Sequence, residues 1–408
     1  MVQGQPAAAD VSIAAGCITA AVPARPHADH AAVYAPTNPT VWQLGGAPVL
    51  PGLVDAHIHL DKAFTLARMG KVEPGLLGAI AAMHVDREAW TPQDVHARAA
   101  QGMQWAFEAG VVRLRTHCDW WEPDAVPIAW GALSAVAGEW AGRIELDRAA
   151  LIPLELFSTR DQARTLAQRV AESGVGATLG GFVHSTNWDE RALVNLLDSA
   201  ENHGLDIDLH IDEELNPAAC GLQHLAQRLS DMRFSGHVVC GHTCALAAQP
   251  LDVALATLDA VARAPITLVT LPITNLLLQD AQTGRTPRER GLTLVKEARA
   301  RGIPVMIASD NVQDPFCPVG SFDPLEAFAA GVLAGQLATP FDDWTDSICR
   351  ADWLSRGPAA LPLQVGSPAD LVIFNAAEVH GFPSRTAERV VLRGGRIAAG
   401  VYRPRSAA

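Results

Sequence analysis

The sequence lacks what several functional classes require. No uninterrupted apolar run approaches the roughly 20 residues of a membrane span, and no basic residue precedes Arg25, so the Ala-rich start does not read as a secretory leader. Cysteine is scarce: seven residues, at 17, 118, 220, 240, 244, 317 and 349, are too few and too scattered in a chain of 408 for a disulfide framework, and the odd number leaves one over. A reducing, cytoplasmic setting is the expectation. Basic charge is also short, with 31 Lys and Arg against 44 Asp and Glu and a formal net charge of -13. Binders of nucleic acid or of an anionic membrane need a cationic surface, so neither is an expected partner. No repeat, low-complexity tract or charge block interrupts the chain.

What the chain has is ample apolar material, 49% of its residues, arranged in a rhythm. Short strand-like runs fall at 49–58, 111–116, 150–156, 178–183, 206–211, 237–241, 266–271 and 304–308. Segments with apolar residues at helical spacing lie between most of them, at 94–108, 160–172, 191–203 and 290–301. Eight strands alternating with helices predict an α/β fold, a (β/α)8 TIM-type barrel. The two ends differ. Residues 10–22 and 369–402 are short strand-like pieces with Gly turns and little helical period, which pair most simply into a small β-sandwich domain formed from both chain ends. The expected division is 1–50 with 360–408 for that domain and 51–359 for the barrel; separate edge hairpins are the alternative.

The most informative stretch runs from Leu50 to Lys62 and contains Asp55-Ala56-His57-Ile58-His59. Alternate side chains of a strand share a face, so His57 and His59 can converge on one point, and imidazole suits a transition metal. Alone, such a pair reads more readily as two partly buried histidines hydrogen-bonded to their neighbours than as a metal site. Three further signals stand at the ends of later strands, where barrel enzymes build their sites: His210-Ile211-Asp212-Glu213, Gly241-His242-Thr243 and Ser309-Asp310-Asn311. Four placements at one rim favour a metal site over satisfied core histidines and a helix-capping Asp310.

From about residue 50 to 336 this order of motifs resembles the amidohydrolase superfamily, in particular its bacterial cytosine deaminase branch; Leu271-Pro272-Ile273-Thr274-Asn275 and Asp310 through Phe316 fall in the family's order as well. The resemblance implies a metal held by His57, His59, His210 and Asp310. It also implies Glu213 as proton shuttle and His242 as the residue that orients the attacking water, with Asp310 sharing in catalysis. Such a cation lowers the pKa of water from 15.7 toward about 7, and a carboxylate within reach moves the proton. Binuclear members bridge two metals through a lysine on the fourth strand. The three lysines here, Lys62, Lys71 and Lys296, are elsewhere, which implies one divalent ion, zinc or iron, with manganese compatible.

The chain departs from the cytosine-specific pattern where the base would be read. Leu154 stands in place of the family's Gln, and Asn311 and Phe316 in place of an Asp and a Trp, so cytosine itself is not the expected substrate. His184 is a further substrate-side candidate, with a plain rim histidine as the alternative. Lys62 either meets an anionic group of the substrate or is exposed and paired with Asp61. Trp120 and Trp121 read more readily as packing than as substrate walls, and Cys240 and Cys244 lack zinc-knuckle spacing. The expected function is hydrolysis of a C–N bond in a small nitrogen heterocycle by hydroxide generated at the metal, a deaminase or aminohydrolase. The alternatives are opening of a cyclic amide or imide, removal of an N-alkylamino group from a triazine, and, remotely, a non-catalytic binding protein. A small molecule is the expected partner and a homo-oligomer the expected assembly.

Overall fold

A computed structural model describes residues 8–24, 41–355 and 363–403. The remaining residues of the two expected terminal segments lie outside it. The chain opens with an antiparallel hairpin of β1 (Ala9–Ala14) and β2 (Cys17–Pro23), followed by β3 (Val49–Pro51) and β4 (Leu53–Ile58). Then come α1 (Leu76–Asp86), α2 (Pro92–Ala109), β5 (Val111–Asp119), α3 (Ile128–Trp140), β6 (Glu145–Leu151), α4 (Arg160–Glu172) and β7 (Ala177–Val183). The second half continues with α5 (Glu190–His203), β8 (Ile207–Ile211), α6 (Gly221–Met232), β9 (Val238–His242), α7 (Leu251–Val261) and β10 (Ile266–Thr270). Short helices α8 (Pro272–Leu278) and α9 (Val295–Arg299) precede β11 (Val305–Ile307) and α10 (Pro324–Gly335); β12 (Leu371–Phe374), β13 (Arg389–Arg393) and β14 (Arg396–Gly400) end the chain.

β4 to β11 form one parallel sheet of eight strands in sequential order. A parallel bridge between Ile58 and Asp310, with the Asp310 amide donating to the His57 carbonyl at 2.9 Å, joins its first strand to the end of its last. The (β/α)8 barrel expected from the rhythm is therefore present. Strands buried on both faces account for the near-continuous apolar runs, as in β4, β8, β9 and β10, where every residue is buried. The helices carry local start and stop signals: Thr91 caps α2 by accepting from the Asp94 amide, with Pro92 in its first turn and Gly110 in the left-handed conformation after its last residue. Asp189 and Gly204 do the same for α5.

The two chain ends meet. β3 pairs antiparallel with β12 in a four-stranded sheet of order β14-β13-β12-β3, and Cys17 bridges to Pro368 to bring the β1–β2 hairpin alongside. Ile18, Val49, Leu371, Ile373, Val390 and Leu392 form a small apolar core there. The sequence reads 49–58 as one strand, but it is two. Pro51 pairs with Leu371 of the small sheet and Leu53 with Val111 of the barrel, and the turn between them falls at Gly52, whose Cα is packed too tightly against Val112 for a side chain.

Two further expectations shift. The third barrel strand spans 145–151 rather than 150–156, and the chain turns through Pro153 into a single 3-10 turn over Leu154–Phe157. Of the helix read at 290–301 only Val295–Arg299 is helical. Gly291, at φ 67, folds its backbone closely over Gln279, and the apolar residues before α9 serve as packing in an irregular segment. Among the described residues no helix is long and apolar enough to cross a membrane.

Candidate metal centre and the cavity above it

The C-terminal ends of the strands carry an unusual backbone. Asp212, His242, Thr243 and Asp310, each at or just after a strand end, have φ of 52, 69, 49 and 64°. Left-handed conformations cost a non-glycine residue about 1–2 kcal/mol each, so their concentration on one rim marks a place where side-chain direction outweighs local comfort. The β4–β5 ladder is also irregular between Asp55 and Ile58, a bulge that re-aims His57 and His59.

These ends bring four donor atoms together. His57 Nε2 lies 3.0 Å from His210 Nε2, and His210 Nε2 lies 3.1 Å from His59 Nε2. Asp310 Oδ1 is 3.6 Å from His57 Nε2 and 3.2 Å from His59 Nε2. Ligands about 2.1 Å from a tetrahedral cation stand about 3.4 Å from one another, and these four separations, at 3.0 to 3.6 Å, are of that size. Their chemistry agrees. Burial, reinforced by neighbouring charge, holds His57, His59 and His210 well below the usual histidine pKa, so each is a neutral imidazole with a free lone pair. Asp310 has no exposure and neither of its oxygens has a hydrogen-bond partner among the described residues, an arrangement that calls for a cation. The donor set fits a divalent metal ion.

Beside the four stand Glu213 and His242, both buried. Glu213 Oε1 is 3.1 Å from His242 Nδ1, and Asn275 Nδ2 is 3.1 Å from the same nitrogen; His242 Nε2 has no partner among the described residues. Burial, with the Asp310 charge adding to it, raises the Glu213 carboxyl well above the ordinary carboxylate range. Burial lowers His242. A carboxyl that keeps a proton beside a neutral imidazole is suited to proton transfer.

His59, His210, Glu213 and His242 line a cavity that opens to solvent, with about 590 Å³ of empty space including its open mouth. Leu76, Ile80 and Met83 of α1 form one wall, and Trp121, Phe182 and Phe316 offer flat apolar surface elsewhere. Lys62 also faces the cavity. It is not exposed and not paired with Asp61: its ammonium donates to Asp119 Oδ1 at 2.6 Å and stands 5.5 Å from the Phe316 ring centroid. Burial alone would lower its pKa, but Asp119 and Asp61 outweigh that and keep the ammonium charged.

The structure gathers all the expected metal and catalytic residues at one point and separates the expected substrate contacts. Lys62, Asn311 and Phe316 line the cavity, with Asn311 Nδ2 donating to Asp314 Oδ2 at 2.6 Å. Leu154 does not. It is fully buried in the main core, because the strand ends five residues earlier than read, and Leu151 and Pro153 reach the cavity instead. His184 is also off the cavity lining, with Nδ1 2.9 Å from Thr186 Oγ1 and Nε2 3.7 Å from Glu214. The tryptophan pair divides: Trp120 is buried against Trp130, whereas Trp121 lines the cavity in edge contact with His84. Sequence reasoning missed His117, fully buried against the ligand rings. The signal was present, since Arg113, Arg115, His117 and Asp119 alternate along a strand whose other residues are Val, Leu, Thr and Cys.

The amidohydrolase family model matches residues 165–399. The chain is 36% identical over 393 residues, 95% of its length and 87% of the other protein, to a pterin deaminase of Rhizobium rhizogenes. It is 25% identical to an N-isopropylammelide isopropyl amidohydrolase of a Pseudomonas species, over 86% of each chain. A solved 5-methylcytosine deaminase of Klebsiella pneumoniae superposes with a TM-score of 0.82 at 24% identity, covering 100% of this chain and 98% of that one, which supports the same fold.

Proposed function

The chain belongs to the amidohydrolase family, and from that premise we propose that it is a metal-dependent deaminase that hydrolyses the C2 amino group of a pterin, a flat two-ring 2-amino-4-oxo heterocycle. The observation that carries the reading is the placement of Glu213 between the four-donor cluster and a cavity with aromatic walls. Likeness along almost the whole chain to a pterin deaminase favours the two-ring substrate over a single pyrimidine.

His57, His59, His210 and Asp310 would hold one divalent cation, which would supply Lewis acidity and lower the pKa of water toward about 7. Three imidazoles and a carboxylate suit zinc or iron best, with manganese compatible. The chain's own groups do the rest. Trp121, Phe182 and Phe316 take the faces of the bicycle, and Lys62 donates to the exocyclic carbonyl oxygen. His242, oriented at Nδ1 by Asn275 and Glu213, leaves Nε2 for the incoming oxygen. Glu213 delivers its proton to the ring nitrogen adjacent to the attacked carbon, recovers one from the water, passes it to the departing amine, and takes the remaining hydroxyl proton as the new carbonyl forms. One C–O bond forms, one C–N bond breaks, a water is consumed, and ammonia leaves.

The test is ammonia release from pterin by metal-loaded protein, by protein stripped with a chelator, and by stripped protein resupplied with zinc or iron. Turnover that disappears on stripping and returns on resupply is the expected result. Pterin left unchanged by the loaded protein would refute the reading. Release of an alkylamine from an N-alkylated triazine, with pterin untouched, would transfer the same site to the activity named for the Pseudomonas relative.

A further inference from the structure

A histidine that ligates a metal ordinarily donates its second ring nitrogen to a carboxylate or carbonyl, which fixes its plane. That device is missing here. The Nδ1 atoms of His57, His59 and His210 are all buried and none has a hydrogen-bond partner among the described residues. Something else must hold the tips of His57 and His59 each within 3.0 to 3.1 Å of the tip of His210.

All three pack on one side chain. The His117 ring centroid lies 3.9 Å from that of His57 at an interplanar angle of 33°, 4.7 Å from that of His210 at 80°, and 5.5 Å from that of His59 at 41°. His117 has no exposure and is itself anchored: its Nε2 lies 3.0 Å from Asp208 Oδ1, and Asp208 Oδ2 accepts from Arg115 Nη1 at 2.9 Å. Arg115 Nη2 donates in turn to the Leu354 carbonyl at 2.6 Å. On its other side His57 meets the backbone of Gly241, where an added Cβ would come within 2.8 to 2.9 Å of its ring atoms. His57 is clamped between a glycine and an imidazole.

We propose that His117 is the positioning residue of the metal centre, a single imidazole that orients all three ligand rings by contact and is itself held by the Asp208–Arg115 pair. The carboxylate–histidine contact usual for each ligand is thereby collected into one dyad beneath them, and contact between rings replaces three separate hydrogen bonds. The inference rests on the reading of His57, His59 and His210 as ligands.

The test is metal affinity, measured by competition with a chromogenic chelator on protein stripped and reloaded with zinc, and the visible spectrum of the cobalt-substituted form. His117→Ala is expected to weaken zinc binding by about 10- to 100-fold, the range for loss of an outer-shell partner, and to change the cobalt spectrum. His117→Phe, which keeps a flat ring in place, is expected to retain most of the affinity. Equal loss in both variants would overturn positioning by ring contact, and so would wild-type affinity in His117→Ala. If His117→Ala does not fold, Gly241→Ala presses the same ring from the other side; it is expected to weaken metal binding with the fold intact, and full affinity there would overturn the clamp. Wild-type protein that binds no zinc would instead remove the functional reading on which the inference stands.

Discussion

Replacing Glu213 by Gln tests the chemistry with little disturbance to the fold. The side chain is 4% exposed and touches His242 at 3.1 Å, and Gln keeps its volume and a polar contact to that ring. Glu213 is not one of the four donors His57, His59, His210 and Asp310, so the variant should retain its metal. What it loses is the transferable proton, which burial and the Asp310 charge favour keeping on the carboxyl. Positioned general acid–base groups contribute about 10²- to 10⁴-fold, which at 1.36 kcal/mol per decade corresponds to about 3–5 kcal/mol of barrier. The expected outcome is a fall in kcat of at least 10²-fold for ammonia release from pterin, with unchanged metal content by atomic absorption. A fully loaded variant within tenfold of wild type would refute the role of Glu213, and activity falling only in proportion to lost metal would refute the separation of its role from that of the ligands.

Other consequences are as specific. His210→Ala removes a donor from the middle of the cluster and should abolish stable metal binding; an equilibrium-dialysis stoichiometry equal to wild type would contradict the ligand set. Leu154→Ala should cost stability, about 2–5 kcal/mol in chemical denaturation, and leave the KM for pterin unchanged, because this side chain is fully buried in the core and not in the cavity. Trp121→Ala should raise KM severalfold with a smaller effect on kcat, since the ring lines the cavity and is not among the donor and proton-transfer groups. Burial lifts the Asp212 carboxyl from 3.8 to about 6 despite amide donors from Gly221 and Leu222. An acid whose folded pKa is raised favours the fold in its protonated form, so this contribution is full below about 3.8 and is lost as pH rises through about 6. Melting temperature followed across that window should fall less with rising pH in Asp212→Asn than in wild type, and parallel curves would contradict the assignment.

Much of this site was legible because its residues sit at strand ends in recognisable company. His57 and His59, His210 with Glu213, His242, and Asp310 each follow an apolar run, and eight such runs alternating with helices force those ends onto one rim. Boundaries were less legible where apolar sequence continues past the strand. The run through residue 156 looks unbroken, but the strand ends at Leu151, Pro153 keeps only an isolated bridge to Phe182, and Leu154 turns into the core, so a contact inferred from strand position was lost. The run at 49–58 looks like one strand because both halves are apolar; only the tight packing at Gly52 separates the small sheet from the barrel. The exposed alternative for Lys62 follows from the cost of burying a lone lysine, and its partner Asp119 is 57 residues away in sequence. His117 was passed over for a similar reason: its meaning depends on Asp208 from another strand, a pairing no local pattern displays.

The most direct test of the central claim is mass spectrometry of the product formed when metal-loaded protein is incubated with pterin in water enriched in oxygen-18. The account predicts exchange of the C2 amino group for one labelled oxygen, with the two rings intact and one ammonia released. A labelled product in which a ring has opened by addition of water, with no ammonia released, would contradict it, and so would recovery of unchanged pterin from protein with a full metal site.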